Sequence, residues 1–336
     1  MKCVYGPILS RRLGLSLGVD LIPFKTCNWN CVYCQLGRTI PLRNERRDYF
    51  PPEDILQELK TALSHQPHPL DWISLVGSGE PLLCASIGWV ISQIKVITKV
   101  PLAVMTGGSL LYLPQVRKDI LSADCVLPSL DAGSPELYRR ITRPHGEITF
   151  ERYIEGLAQF REEYQGRLWL KVMLIKGLND TEKALSDIAK LLKIIRPDEV
   201  HLCLPVRPSA EPWVEAADQE DLRRAVAILG DGARLIPPVR GNFFWQHDES
   251  WADTIVGIVS RHPLEEEELM RMLSHLSSDE AQAVLTQMKA GGKVQMVERY
   301  GQRFWCGASG CYPEEMNPQI TVEVSHDEDK IQRRSH

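Results

Sequence analysis

The chain has 336 residues, 43% of them hydrophobic, enough for a sizeable core and, as a soft prior, two domains. Its 39 basic and 44 acidic residues leave a net charge of −5, a balance that gives no general attraction for nucleic acid. Nine irregularly spaced cysteines do not read as a disulfide framework, and no stretch approaches the roughly 18 apolar residues of a spanning helix. The first residues lack the apolar core of a signal peptide, so a reduced, cytoplasmic chain without membrane association is expected.

The apolar run 15–23 predicts a first strand, and Cys27-Asn28-Trp29-Asn30-Cys31-Val32-Tyr33-Cys34 follows it directly. Ile55, Leu56, Leu59 and Leu63 give 52–64 helical spacing, with Pro51-Pro52 as the start signal. Residues 72–76 form a short apolar run that ends in Gly77-Ser78-Gly79-Glu80-Pro81, with a helix to follow at 87–97. Strands are predicted at 102–105, ending in Thr106-Gly107-Gly108, and from 125, ending near Ser129-Leu130-Asp131. Two helical stretches, 135–141 and 149–163, precede a fifth strand at 168–175 that ends in Lys176-Gly177-Leu178-Asn179-Asp180. A helix at 181–195, a sixth strand at 199–204 and a sixth helix at 219–228 complete the alternation.

Strand–helix alternation implies a parallel sheet, and six units are too few for a closed eightfold barrel. The expected fold is therefore α/β, a partial (β/α)6 TIM-like barrel over residues 1–245. Ligands of such folds bind at the C-terminal strand ends, where this chain places Gly, Ser, Asp, Asn and Glu. Beyond Trp245 the pattern changes to helices at 251–260, 264–276 and 278–290, the last opened by a capping serine and acidic residues. A hairpin signal around Arg299-Tyr300-Gly301 follows, so 246–312 reads as a small winged-helix-like domain and 313–336 as a flexible, polar tail.

Cys27, Cys31 and Cys34 are spaced by four and three positions, with no histidine nearby. A structural zinc site closes with four ligands, so a bare triple leaves a coordination position open. An iron–sulfur cube held by three thiolates keeps one iron free for a small molecule. The plainer alternatives are a half-built zinc knuckle or cysteines buried as small apolar residues.

The triple resembles the signature of the radical S-adenosylmethionine (SAM) superfamily. That resemblance implies a [4Fe–4S] cluster on Cys27, Cys31 and Cys34, SAM chelating the open iron, and a deoxyadenosyl radical on reduction by a donor such as flavodoxin or ferredoxin. Gly77-Ser78-Gly79-Glu80-Pro81 resembles the Gly-Gly-Glu-Pro motif that binds the methionine amine; glycine admits a close backbone edge, and Glu80 can accept from an ammonium. By the same resemblance Tyr33, Thr106, Ser129, Asp131 and Asn179 fall on the SAM side of the mouth; Lys171, inside the fifth strand, can either face the mouth and pair with the SAM carboxylate or point outward. Ser109, Asp131, Asn179 and Asp180 serve equally well as helix caps.

The run 5–20 and the run 24–38 look like the wybutosine-synthesis-like group of that superfamily. The likeness covers about residues 1–245, including Arg207-Pro208, but only Cys3 lies upstream where those enzymes carry a second cluster. Arg11, Arg12 and Arg207 are the candidates for holding an anionic substrate, an RNA base or a peptide. Cys306 and Cys311 form a second, unspecific pair, and Cys84, Cys125 and Cys203 are expected to be buried apolar residues. A different class remains open, a metal-stabilised winged-helix regulator that binds nucleic acid without catalysis; against it, the helix at 278–290 carries Asp279, Glu280 and only Lys289.

Overall fold

The computed structural model of the chain describes residues 3–66, 68–237, 250–274 and 276–313. Strand β1, Val4–Ser10, turns back into β2, Gly14–Val19, and the two pair antiparallel. From β2 onward each strand adds parallel to the one before: β3 (Trp72–Leu75), β4 (Leu102–Met105), β5 (Cys125–Leu127), β6 (Arg167–Met173), β7 (Glu199–Cys203) and β8 (Ala233–Leu235). The sheet order is β1 to β8, so its two ends are different strands and the barrel is an open one.

The crossovers carry α1 (Pro52–Ser64), α2 (Ile87–Ile97), α3 (Pro114–Ile120), α4 (Pro135–Thr142), α5 (Phe150–Glu163), α6 (Glu182–Ile195) and α7 (Gln219–Leu229). Side chains alternate across the strands. Leu102 and Val104 of β4 join the main core beneath the helices. Ala103 and Met105 join a smaller cluster on the other face with Leu13, Cys125, Leu127, Trp72 and Trp169.

All six predicted strands are present, and three further elements flank them. β1 carries Gly6-Pro7 and a register shift between Tyr5 and Ile8, features that suit an edge strand and break the apolar alternation. β8 has three residues, too few to show a period, and α3 has seven.

In the C-terminal region, α8 (Trp251–Val259), β9 (Leu264–Glu265), α9 (Glu266–Leu273), α10 (Ser278–Ala290), β10 (Val294–Arg299) and β11 (Gln302–Gly307) build a second unit. Its antiparallel sheet runs β10-β11-β9; the two-residue β9, inside the helix predicted at 264–276, was not legible as a strand. Ser277 caps α10 in a capping box with Glu280. The unit has its own core, including Ile255, Val259, Leu269 and Trp305, and Ile8 of β1 packs against it. The predicted boundary at 245/246 and the tail from 314 lie outside the described residues. Among the described residues no helix is long and apolar enough to cross a membrane.

Candidate active site

The cysteine loop leaves the C-terminal end of β2 and is wrapped from several sides. The Arg43 N–H donates to the Cys27 carbonyl at 2.9 Å, and the Val32 N–H to Ile141 at 2.9 Å. Asn28 is fully buried, holding Asn44 at 3.0 Å and accepting from Ser109 Oγ at 2.9 Å. Its neighbour Trp29 packs edge-on against Tyr138 and Tyr153. The polar and bulky residues between the cysteines are therefore the loop's anchors.

The three cysteines are free and half-buried. Lys25 Nζ lies 3.2 Å from Cys34 Sγ, and the Trp29 N–H donates to Cys27 Sγ at 3.4 Å. Burial pushes the Cys27 thiol up to about 12, with the Glu80 charge adding to it. Burial also drives Cys31 well up, and Cys27 and Cys34 reinforce the shift. Three thiols in one another's field need a positive partner to ionise together, and a coordinating metal centre provides it. Among the described residues no three His, Cys, Asp or Glu side chains gather tightly enough for a single ion. A cube serves each thiolate with its own iron, so its ligands stand further apart than those of one ion. The donor set fits a [4Fe–4S] cluster.

The Gly77–Pro81 turn follows β3 and lies directly on this loop. The Glu80 N–H donates to Thr26 O at 2.9 Å, and the Lys25 N–H to Ser78 O at 2.6 Å. A Cβ on Gly79 would sit 1.8 Å from Thr26 O, so only glycine admits this approach. Glu80 is buried, and burial raises its carboxyl above the usual range, against hydrogen bonds from Thr106, Leu82 and Gly107. Those three donors occupy three of the roughly four acceptor positions of a carboxylate, leaving one. Ser78 is fully buried and donates its hydroxyl to Asp20 Oδ2 at 2.6 Å and its N–H to Oδ1 at 3.1 Å.

The next strand ends converge on the same place. Tyr33 donates to Asp131, and Lys171 Nζ donates to Tyr33 Oη at 2.8 Å while lying 3.7 Å from Asp131 Oδ2. Lys171 thus faces the cysteine loop from β6, its ammonium 4.3 Å from the centre of the Tyr33 ring. The Ser129 carbonyl accepts from the Tyr153 hydroxyl. Asn179 is fully buried; its Nδ2 donates to Asp131 O and Met173 O, both at 2.8 Å, and its Oδ1 accepts from Ile175 N–H at 2.8 Å. It ties the loop after β6 to the loop after β5 and has no polar atom left to reach outward. The cap of α6 is Thr181, not Asn179 or Asp180.

Arg11 and Arg12 lie in the turn before β2, and Arg207 lies in the loop after β7. Burial lowers the proton affinity of Arg207, with the Arg11 charge adding to the shift, and burial likewise lowers Arg11, where the neighbouring Arg12 adds to it; the Arg12 charge is also felt at Cys125 and His201. Cys84, Cys125 and Cys203 are buried, as expected. Cys306 is buried in β11, while Cys311 is free and exposed, its carbonyl accepting from Arg38 N–H at 2.9 Å.

Several residues of the site gave no signal in sequence. Asp20 pairs with the buried Arg261 of the C-terminal unit at 2.8 Å. Glu211 accepts two hydrogen bonds from Arg38, at 2.9 and 2.7 Å, and one from Arg143. Tyr312 donates to Gln35 O at 2.6 Å, and Gln35 Nε2 to Arg261 O at 3.0 Å. Each pair joins positions far apart in the chain, so no local pattern marks it.

The profile of the Radical SAM superfamily matches residues 21–192, a span that contains the cysteine triple and the ends of strands β3 to β6. A UPF0026 protein of Methanocaldococcus jannaschii is 32% identical over 313 residues, 91% of this chain and 96% of its own length. A Brachyspira hyodysenteriae protein named GTPase Obg is 42% identical over 224 residues, 67% of this chain, but the match spans only 33% of that protein. A crystal structure of a radical SAM methyltransferase from Sphaerobacter thermophilus superposes with a TM-score of 0.49 at 16% identity, covering 66% of either chain.

Proposed function

The chain belongs to the Radical SAM superfamily and, within it, to the UPF0026 proteins, and from that premise we propose that it cleaves SAM reductively to modify a substrate held at the C-terminal edge of its sheet. Superfamily members use a [4Fe–4S] cluster and SAM. The observation that carries the reading is the direct seating of the Gly77–Pro81 turn on the loop of Cys27, Cys31 and Cys34, two features 43 positions or more apart in sequence brought within one hydrogen bond.

When bound, the cluster supplies the electron that splits SAM into methionine and a deoxyadenosyl radical. Cys27, Cys31 and Cys34 would hold it, and Lys25 places a cation beside Cys34. Glu80 keeps one acceptor position for the SAM amine, with its other positions fixed by protein donors so that it points one way. Lys171 offers an ammonium to a carboxylate, held in place by Tyr33 and Asp131. Thr106, Ser129 and Asn179 brace these groups. The packed aromatics Trp29, Tyr138 and Tyr153 close the floor to water, which protects a radical from quenching.

The substrate is an RNA base or a peptide, the electron donor is a flavodoxin or ferredoxin, and the C-terminal unit is a winged-helix-like recognition module. The order of its elements and the small antiparallel sheet support that last assignment. A wybutosine-like substrate has the two N-terminal runs in its favour. The metal-stabilised regulator without catalysis is not favoured, because the superfamily match covers both the triple and the strand ends.

The test is anaerobic reconstitution of the full chain with iron and sulfide, followed by SAM and a reductant. A brown protein that forms 5′-deoxyadenosine is expected, and Cys31→Ala should lose both colour and product. A colourless protein with no 5′-deoxyadenosine, or turnover retained by Cys31→Ala, overturns the proposal.

A further inference from the structure

The seam between the barrel and the C-terminal unit holds a surplus of positive charge. Arg207 Nε donates to Pro263 O at 2.9 Å, which fixes its guanidinium beside His262. The Arg11 charge is felt at both His262 and Arg207, and its Nη1 is buried with no hydrogen-bond partner. A buried N–H without an acceptor costs free energy, and in a native structure it calls for an explanation. Arg11, Arg207 and His262 are each half-buried.

The charges do not cancel. Burial lowers Arg207 to about 10, and Arg11 adds to the shift, so both remain cations at neutral pH. Burial, then Arg207 and Arg11, push His262 well below its usual range, leaving a neutral imidazole. Among the described residues the carboxylate whose charge both arginines feel is Glu268, raised by burial against the pull of Arg207 and Arg271. Two guanidiniums therefore face one carboxylate. A guanidinium pair presents parallel N–H donors that match the oxygens of a phosphoryl group.

An aromatic ring stands close by. Tyr300 lies at the tip of the β10–β11 hairpin in the left-handed region, φ 56°, an uncommon conformation for a bulky residue. Its hydroxyl bonds Ser209 Oγ at 2.9 Å, two positions after Arg207, and the residue keeps 38% of its surface exposed. The turn thus leans the partly exposed Tyr300 against the loop that carries Arg207. Aromatic faces of this kind stack on nucleobases.

We propose that Arg11, Arg207 and His262 form a phosphoryl-binding site at this seam, with Tyr300 as a stacking platform beside it, and that the substrate is held through a nucleotide unit. The site adjoins the reaction mouth, because the carbonyl of Arg261, next to His262, accepts from Gln35 of the cysteine loop. Naming the ligand a substrate rests on the function proposed above; the existence of the site does not.

The experiment is calorimetric titration of the reconstituted full-length protein with inorganic phosphate, a nucleoside 5′-monophosphate and phosphoserine. Saturable binding is expected for all three, tightest for the nucleotide. Arg207→Gln and Arg11→Gln should each weaken every ligand by about 10- to 100-fold, the worth of one charge-assisted hydrogen bond. Arg207→Lys, which keeps the charge and the stem, should retain part of the binding and shows that the loop still folds. Tyr300→Ala should abolish the preference for the nucleotide and leave inorganic phosphate unchanged. No saturable binding, or binding equal in wild type and both Gln variants, overturns the site; phosphoserine bound as tightly as the nucleotide overturns the nucleotide assignment. Failure of the wild type to cleave SAM would overturn the proposed function and leave these titrations intact.

Discussion

Arg261→Met isolates one buried contact between the two units of the chain. The guanidinium lies 2.8 Å from Asp20 Oδ2, with side-chain exposures of 5% and 1%, and 4.6 Å from the centre of the Tyr5 ring. Methionine keeps much of the apolar stem and removes the charge. Asp20 is then left buried, and its remaining donors are the Ser78 hydroxyl at 2.6 Å and the Ser78 and Ile22 N–H groups at 3.1 and 3.4 Å. Breaking one side of a buried pair costs about 3–5 kcal/mol. The Ser78 bonds offset part of the stranded charge, which puts the expected loss near the lower end, about 3 kcal/mol. Asp20→Asn retains an acceptor for Ser78 but removes the carboxylate from Arg261, which keeps the Gly257 carbonyl and the Tyr5 ring, so it should also destabilise.

The assay is urea unfolding of wild type, both single variants and the double variant. The double variant leaves neither charge unpaired, so it should recover stability relative to the sum of the singles, with a coupling of about 1–3 kcal/mol. Because Asp20 also fixes Ser78, Arg261→Met should raise the dissociation constant for SAM even where the protein is folded. A loss below about 1 kcal/mol, or singles that add within about 0.5 kcal/mol, would refute the reasoning.

Two further outcomes follow from the geometry. Gly79→Ala places a methyl against the Thr26 carbonyl, which is backbone and has little room to yield; a loss of at least about 1–3 kcal/mol is expected, read from the urea midpoint, together with reduced iron retention after reconstitution. His201 is buried, with its proton affinity lowered by that burial, so its folded form stays neutral where the unfolded chain takes up a proton. Its contribution to stability is complete above the unfolded value near 6.5 and is lost as pH falls below it, at up to about 1.4 kcal/mol per pH unit. His201→Gln should therefore flatten the stability profile between neutral and mildly acid pH, and an unchanged slope would contradict this.

The features legible in sequence are those whose physics is local. The cysteine spacing, the glycine-rich turn after β3 and the Ser277 cap each follow from a few adjacent residues, and the structure sets them where the pattern put them. β1 was hidden by Gly6-Pro7, and β8 by its three-residue length. Pairings such as Asp20 with Arg261, 241 positions apart, leave no trace in composition or period.

The harder distinction lies among the polar residues at the strand ends, which looked alike in sequence. What separates them is valence. Asn179 and Ser78 spend their polar atoms on the protein itself and are fully buried, so they set the shape of the mouth. Glu80 keeps one acceptor position, and Arg11 keeps a buried donor without a partner. Residue type cannot foretell which group saturates, since asparagine and glutamate fill either role depending on what tertiary packing brings within 3 Å. A capacity left over after folding is what a ligand can use. By that criterion the site extends beyond the SAM-side residues into the seam, where the core and the C-terminal unit together leave a cation unsatisfied.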